Sequence, residues 1–147
     1  MKVVLDTNCI IVALPQKSPY RCLWNAFQQG RYHLCYSTEI LQEYEEVLLR
    51  YHLPESVLLT LELLIKSPNA IPIVPYYKWN LITADPDDNK FVDCALNAGA
   101  KFVVTNDKDF NILKSITFPK VNVVDIDSFK NIITFGELPN TNAKKQS

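Results

Sequence analysis

Residues 2 to 5, Lys2-Val3-Val4-Leu5, form an apolar and largely β-branched run with no polar alternation. That is the pattern of a strand covered on both faces, which only a layered architecture with helices on either side can bury. The run ends on a carboxylate, Asp6, so the first strand delivers an acid to the edge of whatever sheet it joins. At 147 residues the chain fits a single domain, long enough to bury roughly two-thirds of its unfolded surface in one core.

The remaining apolar runs alternate between strand and helix patterns. After a turn at Asp6 to Asn8, Cys9 to Leu14 is apolar until Pro15, and Ser18-Pro19 opens a helix to about Gln29 that Gly30 ends. Tyr32 to Tyr36 reads as strand 2. Ser37 or Thr38 then caps a helix whose apolar positions Ile40, Tyr44, Val47, Leu48 and Tyr51 recur at helical spacing. On that wheel Glu43 lies at the border of the apolar stripe, while Glu39, Glu45 and Glu46 point away from it.

A helix over Glu55 to Lys66 is apolar almost all round, which predicts burial on two sides; the competing expectation is a contact surface for a second copy or a partner. Ile71 to Val74, bracketed by prolines, fits only a short edge strand. The aromatic segment Tyr76 to Trp79 is expected to close a core rather than to stack on bases.

Asp85 to Asn89 is a turn-rich entry to a helix over Asn89 to Ala98, with Phe91, Val92 and Ala95 on its apolar face and Lys90, Asp93 and Asn97 on its polar one. Lys101 to Thr105 is strand 4, Asn106 to Asp109 caps a short helix through Leu113, Lys120 to Val124 is strand 5, and Asp125 to Ile133 is a brief terminal helix or turn. A domain over 1–135 and a polar, disordered tail over 136–147 are expected. Strands alternating with helices predict an α/β fold with a mainly parallel sheet of about five strands, its ligand site beyond the carboxyl ends of those strands.

Composition narrows the function classes. Acids and bases nearly cancel, at a formal net charge of -1, with the acids bunched and the lysines and arginines scattered. No ready polyanion-binding patch follows, and any nucleic acid would meet isolated basic side chains or a bound cation. Cys9, Cys22, Cys35 and Cys94 form no metal-ligand spacing and fit reduced thiols in a cytosol. The chain enters a strand at once, so no signal peptide and no membrane insertion are expected, and a cytoplasmic protein is. His33 and His52 match no motif.

Four acids qualify by position: Asp6 after strand 1, Glu43 on the helix after strand 2, Asp88 at a helix start and Asp107 after strand 4. Carboxylates brought that close either rise in pKa or share a multivalent cation, and hard oxygen ligands without Cys or His point to Mg²⁺ or Mn²⁺. Such an ion polarises a phosphoryl group and activates water, chemistry suited to phosphodiester hydrolysis.

LDTN near the N-terminus, STEILQEYEEVL, DPDDNKFVDCALNAGA and VVTNDKDF, in that order, resemble the PIN-domain nucleases, and among them the toxin components of prokaryotic toxin–antitoxin pairs. The similarity covers about residues 1 to 127. It implies a three-layer α/β/α domain, metal-dependent RNA cleavage leaving a 5′-phosphate and a 3′-hydroxyl, and an antitoxin partner. By this resemblance Asp6, Glu43, Asp88 and Asp107 are the catalytic and metal-binding acids, with Asn8 and Thr105 as supporting polar residues. Asp85 and Asp87 are close enough to substitute for Asp88, and Asp93 is a further supporting position.

Two enzymatic or signalling rivals fit less well. A haloacid-dehalogenase-like phosphatase wants a second Asp where Asn8 stands, and a receiver-like module wants its acceptor acid where Pro75 and Tyr76 stand. The remaining alternative is an inactive PIN-like module that only binds RNA or protein. An RNA substrate, an antitoxin and a homodimer are the expected partners.

Overall fold

The structure is a computed structural model and describes residues 1–136. The polar tail expected over 136–147 lies, Gly136 aside, outside those residues. Five strands form one sheet: β1 (Lys2–Leu5), β2 (His33–Tyr36), β3 (Ala70–Pro72), β4 (Phe102–Val104) and β5 (Val123–Val124), in the order β3-β2-β1-β4-β5. Every pairing is parallel, with Val3 opposite Leu34 on one side and Phe102 on the other. Parallel strands need crossovers, and helices supply most of them: α1 (Thr7–Ala13) and α2 (Arg21–Gln28), α3 (Thr38–Leu48) and α4 (Pro54–Lys66), and α5 (Asn89–Ala98), while α6 (Ile126–Phe135) follows the last strand. The result is the expected α/β arrangement of a parallel sheet flanked by helices.

Val3, Val4 and Leu5 have no more than 1% of their surface exposed, as the unbroken apolar run requires of a central strand. α5 lies across β1, β2 and β4, while α2 packs on α1 and α6. Ser37 caps α3 by accepting from the Ile40 N–H at 3.3 Å, and Ile40, Tyr44 and Leu48 are its buried stripe. The Tyr44 hydroxyl donates to the Leu5 carbonyl, which ties α3 to the strand end that carries Asp6. α5 stops at Gly99, whose φ of 65° is left-handed.

Several expectations need correction. The turn placed at Asp6 to Asn8 does not form: α1 begins at Thr7, with the Asp6 carbonyl accepting from Cys9 and Ile10, so Asp6 is both strand end and helix start. α4 is buried on one side only. Val57, Leu61 and Leu64 face the core at i, i+4 and i+7, while Leu58, Leu59, Leu63 and Ile65 are exposed, because α3 and β3 cover a single stripe. β5 pairs over two residues rather than five, since its contact with β4 begins only at the Asn122 carbonyl. α6 is longer than expected and capped by Asp125.

The segment after β3 does not close the core with its tyrosines: Tyr76 and Tyr77 are exposed, and Trp79 is half-buried against Tyr77 and Phe118. Its backbone is instead pinned along α5. Asn97 Nδ2 donates to the Tyr77 carbonyl at 3.1 Å, Asp93 Oδ1 accepts from the Trp79 N–H at 2.9 Å, and Asn89 exchanges bonds of 2.8 and 2.9 Å with Ile82. Asp93, expected on a solvated face, is therefore only 4% exposed. This strap leads directly into the Asp85 turn.

Candidate metal centre

Strand order reverses between β1 and β4, and the crevice beyond their carboxyl ends is where an open parallel sheet places a ligand. Asp6 stands there because β1 stops at Leu5 while its own N–H still pairs with the Val104 carbonyl at 3.0 Å. The residue is 6% exposed, and its Oδ2 accepts from the Thr105 hydroxyl at 2.7 Å. Thr105 Oγ1 in turn accepts from the Asp107 N–H at 3.0 Å. One hydroxyl thus links the acids that end β1 and follow β4. Burial pushes the Asp6 carboxyl up; the bonds to Thr105 and the Thr7 backbone oppose this, and the charges of Glu43 and Asp107 add to it.

Asp88 reaches the same crevice from the strap. Pro86–Asp88 forms a single 3-10 turn opened by Asp85, whose Oδ1 accepts from the Asp87 N–H at 3.2 Å. Asp88 Oδ2 is buried and has no hydrogen-bond partner. Desolvation, then the charges of Asp107, Asp85, Asp6 and Asp109, push its carboxyl up to about 7. One carboxylate oxygen from each of Asp85, Asp88 and Asp109 lies within 4.8 Å of the other two. A hard cation with ligand distances of about 2.0–2.6 Å spans such a set, and the orphaned Asp88 oxygen is the donor it would satisfy.

Asp109 is not among the acids that the sequence marks by position. Its only signal was a second acid two residues after Asp107 in NDKDF, and the geometry depends on the 3-10 turn over Lys108–Ser115, in which Asp107 Oδ1 accepts from the Asp109 N–H at 2.9 Å. Tight winding there brings both acids to the crevice.

Glu43 lies on α3 beside Asp6, whose carboxyl its charge helps to raise. Its Oε2 accepts from the Thr7 hydroxyl, and its Oε1 pairs with Lys90 Nζ at 2.7 Å. Lys90 also reaches Asp87 at 3.0 Å. Burial pulls the Lys90 ammonium down, yet its bonds to the two carboxylates leave it above its ordinary value. Of the supporting positions, Asn8 is exposed on the first turn of α1, Thr105 bonds both Asp6 and Asp107, Asp85 belongs to the tight carboxylate set, and Asp93 holds the strap. His33 and His52 are exposed. A polar cleft of about 390 Å³ opens beside Asp107, lined among others by Asn106, Lys108, Asn111 and Lys114.

The fold recurs in solved structures. A chain of VapBC2 from Rickettsia felis, bound to a DNA fragment from their promoter, is 18% identical with a TM-score of 0.59 over 85% of this chain and 98% of that one. VapBC-1 from nontypeable Haemophilus influenzae gives 18% and 0.56 over 86% and 99%. FitAB bound to the IR36 DNA fragment gives 15% and 0.54 over 84% and 94%. At these identities the likeness establishes the fold alone. No curated protein matches the chain. The sequence profile of the PIN domain matches residues 2–109, which takes in β1 with Asp6, Glu43, the Asp85–Asp88 turn and both Asp107 and Asp109. With that match over most of its length, the chain belongs to the PIN-domain family.

Proposed function

We propose that the protein is a metal-dependent endoribonuclease, a cytoplasmic enzyme that hydrolyses RNA phosphodiester bonds and serves as the toxin of a toxin–antitoxin pair. The observation that carries this reading is the buried, unpartnered Asp88 oxygen among the carboxylates of Asp85 and Asp109, next to the linked pair Asp6 and Asp107. Asp88, Asp107 and Asp6, with Asp85 and Asp109, would hold Mg²⁺ or Mn²⁺, and Glu43 borders them. When bound, such an ion polarises the phosphoryl group and activates water for in-line displacement.

The chain's own side chains supply position. Thr105 spends its proton on Asp6 and so keeps that carboxylate turned into the crevice as an acceptor. Asp107 is held by the turn it caps. Lys108, Lys114, Asn106 and Asn111 line the adjoining cleft beside Asp107, Asp125 and Asp127, so the lysines and asparagines are the donors a phosphate and a base edge would find there. No helix among the described residues is long and apolar enough to cross a membrane.

An antitoxin partner is supported by the two-component VapBC and FitAB assemblies that share the fold. The exposed leucines of α4, next to a groove of about 280 Å³ between α2 and α4 whose lining mixes Trp24, Leu48 and Leu63 with Arg21, Gln28 and His52, offer it a face; the same face suits a homodimer. The test is degradation of single-stranded RNA by the purified protein with Mg²⁺ or Mn²⁺. Activity should vanish in EDTA and fall at least about 100-fold in Asp6→Asn and Asp88→Asn, a loss of about 2.7 kcal/mol of transition-state stabilisation. Unchanged activity in both variants, or resistance to EDTA, overturns the reading.

A further inference from the structure

Lys90 occupies a place that is costly for a lysine. It lies in the first turn of α5, where the helix dipole disfavours a cation, and its side chain is only 11% exposed. Glu43 at 2.7 Å and Asp87 at 3.0 Å hold its ammonium from two separate elements, α3 and the 3-10 turn. Glu43 also takes the Thr7 hydroxyl, so its two oxygens are already engaged. Two-metal phosphodiesterases hold a pair of divalent ions about 3.5–4 Å apart, whereas here a lysine ammonium lies between the Glu43 and Asp87 carboxylates. The tight oxygen set of Asp85, Asp88 and Asp109 does not include Glu43 or Asp87.

We propose that Lys90 takes the place of a second divalent cation: its ammonium, fixed by Glu43 and Asp87, supplies the positive charge on the α3 side of the crevice, and the chain binds one ion. The inference rests on the metal reading above and goes beyond it in assigning the stoichiometry and a residue to it. Lys90 acts here as a positioning and charge-balancing residue. Its removal would free Glu43 and Asp87 together and open a second oxygen-lined position beside the first.

The experiment counts Mn²⁺ bound to the full chain without RNA, by equilibrium dialysis and electron paramagnetic resonance. The wild type should bind one ion, Lys90→Met two, the second at least about tenfold weaker, and Lys90→Arg one. Adding Glu43→Gln to Lys90→Met should return the count to one. Two ions in the wild type, or one in a folded Lys90→Met, overturns the proposal while leaving the metal reading standing; no ion in the wild type overturns both. Should Lys90→Met fail to fold, Glu43→Gln alone decides. Affinity for the single ion within about twofold of the wild type supports a Glu43 already neutralised by Lys90, and a tenfold loss overturns it.

Discussion

Asp88 concentrates the tension of the site in one atom. Its Oδ2 is buried without a partner, and with Asp107, Asp85, Asp6 and Asp109 around it the folded protein keeps its proton to about pH 7, against an ordinary 3.8. Between those two values the metal-free folded state binds a proton that the unfolded chain has released. Its stability therefore declines as pH rises across that window and levels off above about 7. Asp88→Asn removes the charge that causes the decline. In EDTA at pH 8 the variant should melt above the wild type, and the gap should close toward pH 4. With Mg²⁺ at pH 8 the order should reverse, since only the wild type gains from an ion that binds the folded state. Thermal melts under these conditions check both signs; a variant that melts below the wild type in EDTA at pH 8 refutes the strain.

At the scale of elements, α5 matters for what it pins as much as for what it buries. Asn89, Asp93 and Asn97 recur every four residues, and each bonds the backbone of the strap, which would otherwise leave its polar groups unsatisfied. Asn89→Ala strands both the N–H and the C=O of Ile82, a buried residue, and should cost about 2–4 kcal/mol in urea denaturation. The strap ends at Asp85, so the same variant should also weaken Mn²⁺ binding. α4 gives a cleaner contrast. Leu61→Ala should cost about 2–4 kcal/mol, whereas Leu59→Ala should stay within about 0.5 kcal/mol, because Leu61 is 6% exposed and Leu59 63%.

These elements also show how far the residues alone could be read. α3 was legible because its signals are local: a capping serine and an apolar stripe on one turn after another. The placement of Asp6 was legible for the same reason, as it follows directly on an apolar run, whereas Asp107 lies three residues past the end of β4. Asp93 was misread because helical spacing registers only the face turned to the sheet. The strap that covers the opposite face comes from ten or more residues upstream and carries no pattern that announces its path. α4 was misread because an all-round apolar helix does not say which stripe its neighbours reach. Asp109 escaped notice because a 3-10 turn, rather than spacing in sequence, decides that it joins Asp85 and Asp88.

For the molecule as a whole, charge sets how RNA can be held. The net charge is -1, and the acids converge on the crevice where a phosphodiester would have to lie. Bare protein should therefore repel RNA at that point, and binding should depend on the divalent ion together with a few lysines. Lys108 and Lys114 are the basic residues of the adjoining cleft. Two phosphate contacts to a single strand give a slope of about -1.4 for log affinity against log salt. Between 50 and 200 mM salt, affinity for a non-hydrolysable single-stranded RNA should then fall by about tenfold or less, with no measurable binding in EDTA. Fluorescence anisotropy with a labelled oligonucleotide reads both quantities. A loss of about 1,000-fold over that range would mean about seven phosphate contacts. The scattered lysines would then form a continuous track, and the crevice would not be the main site of attachment.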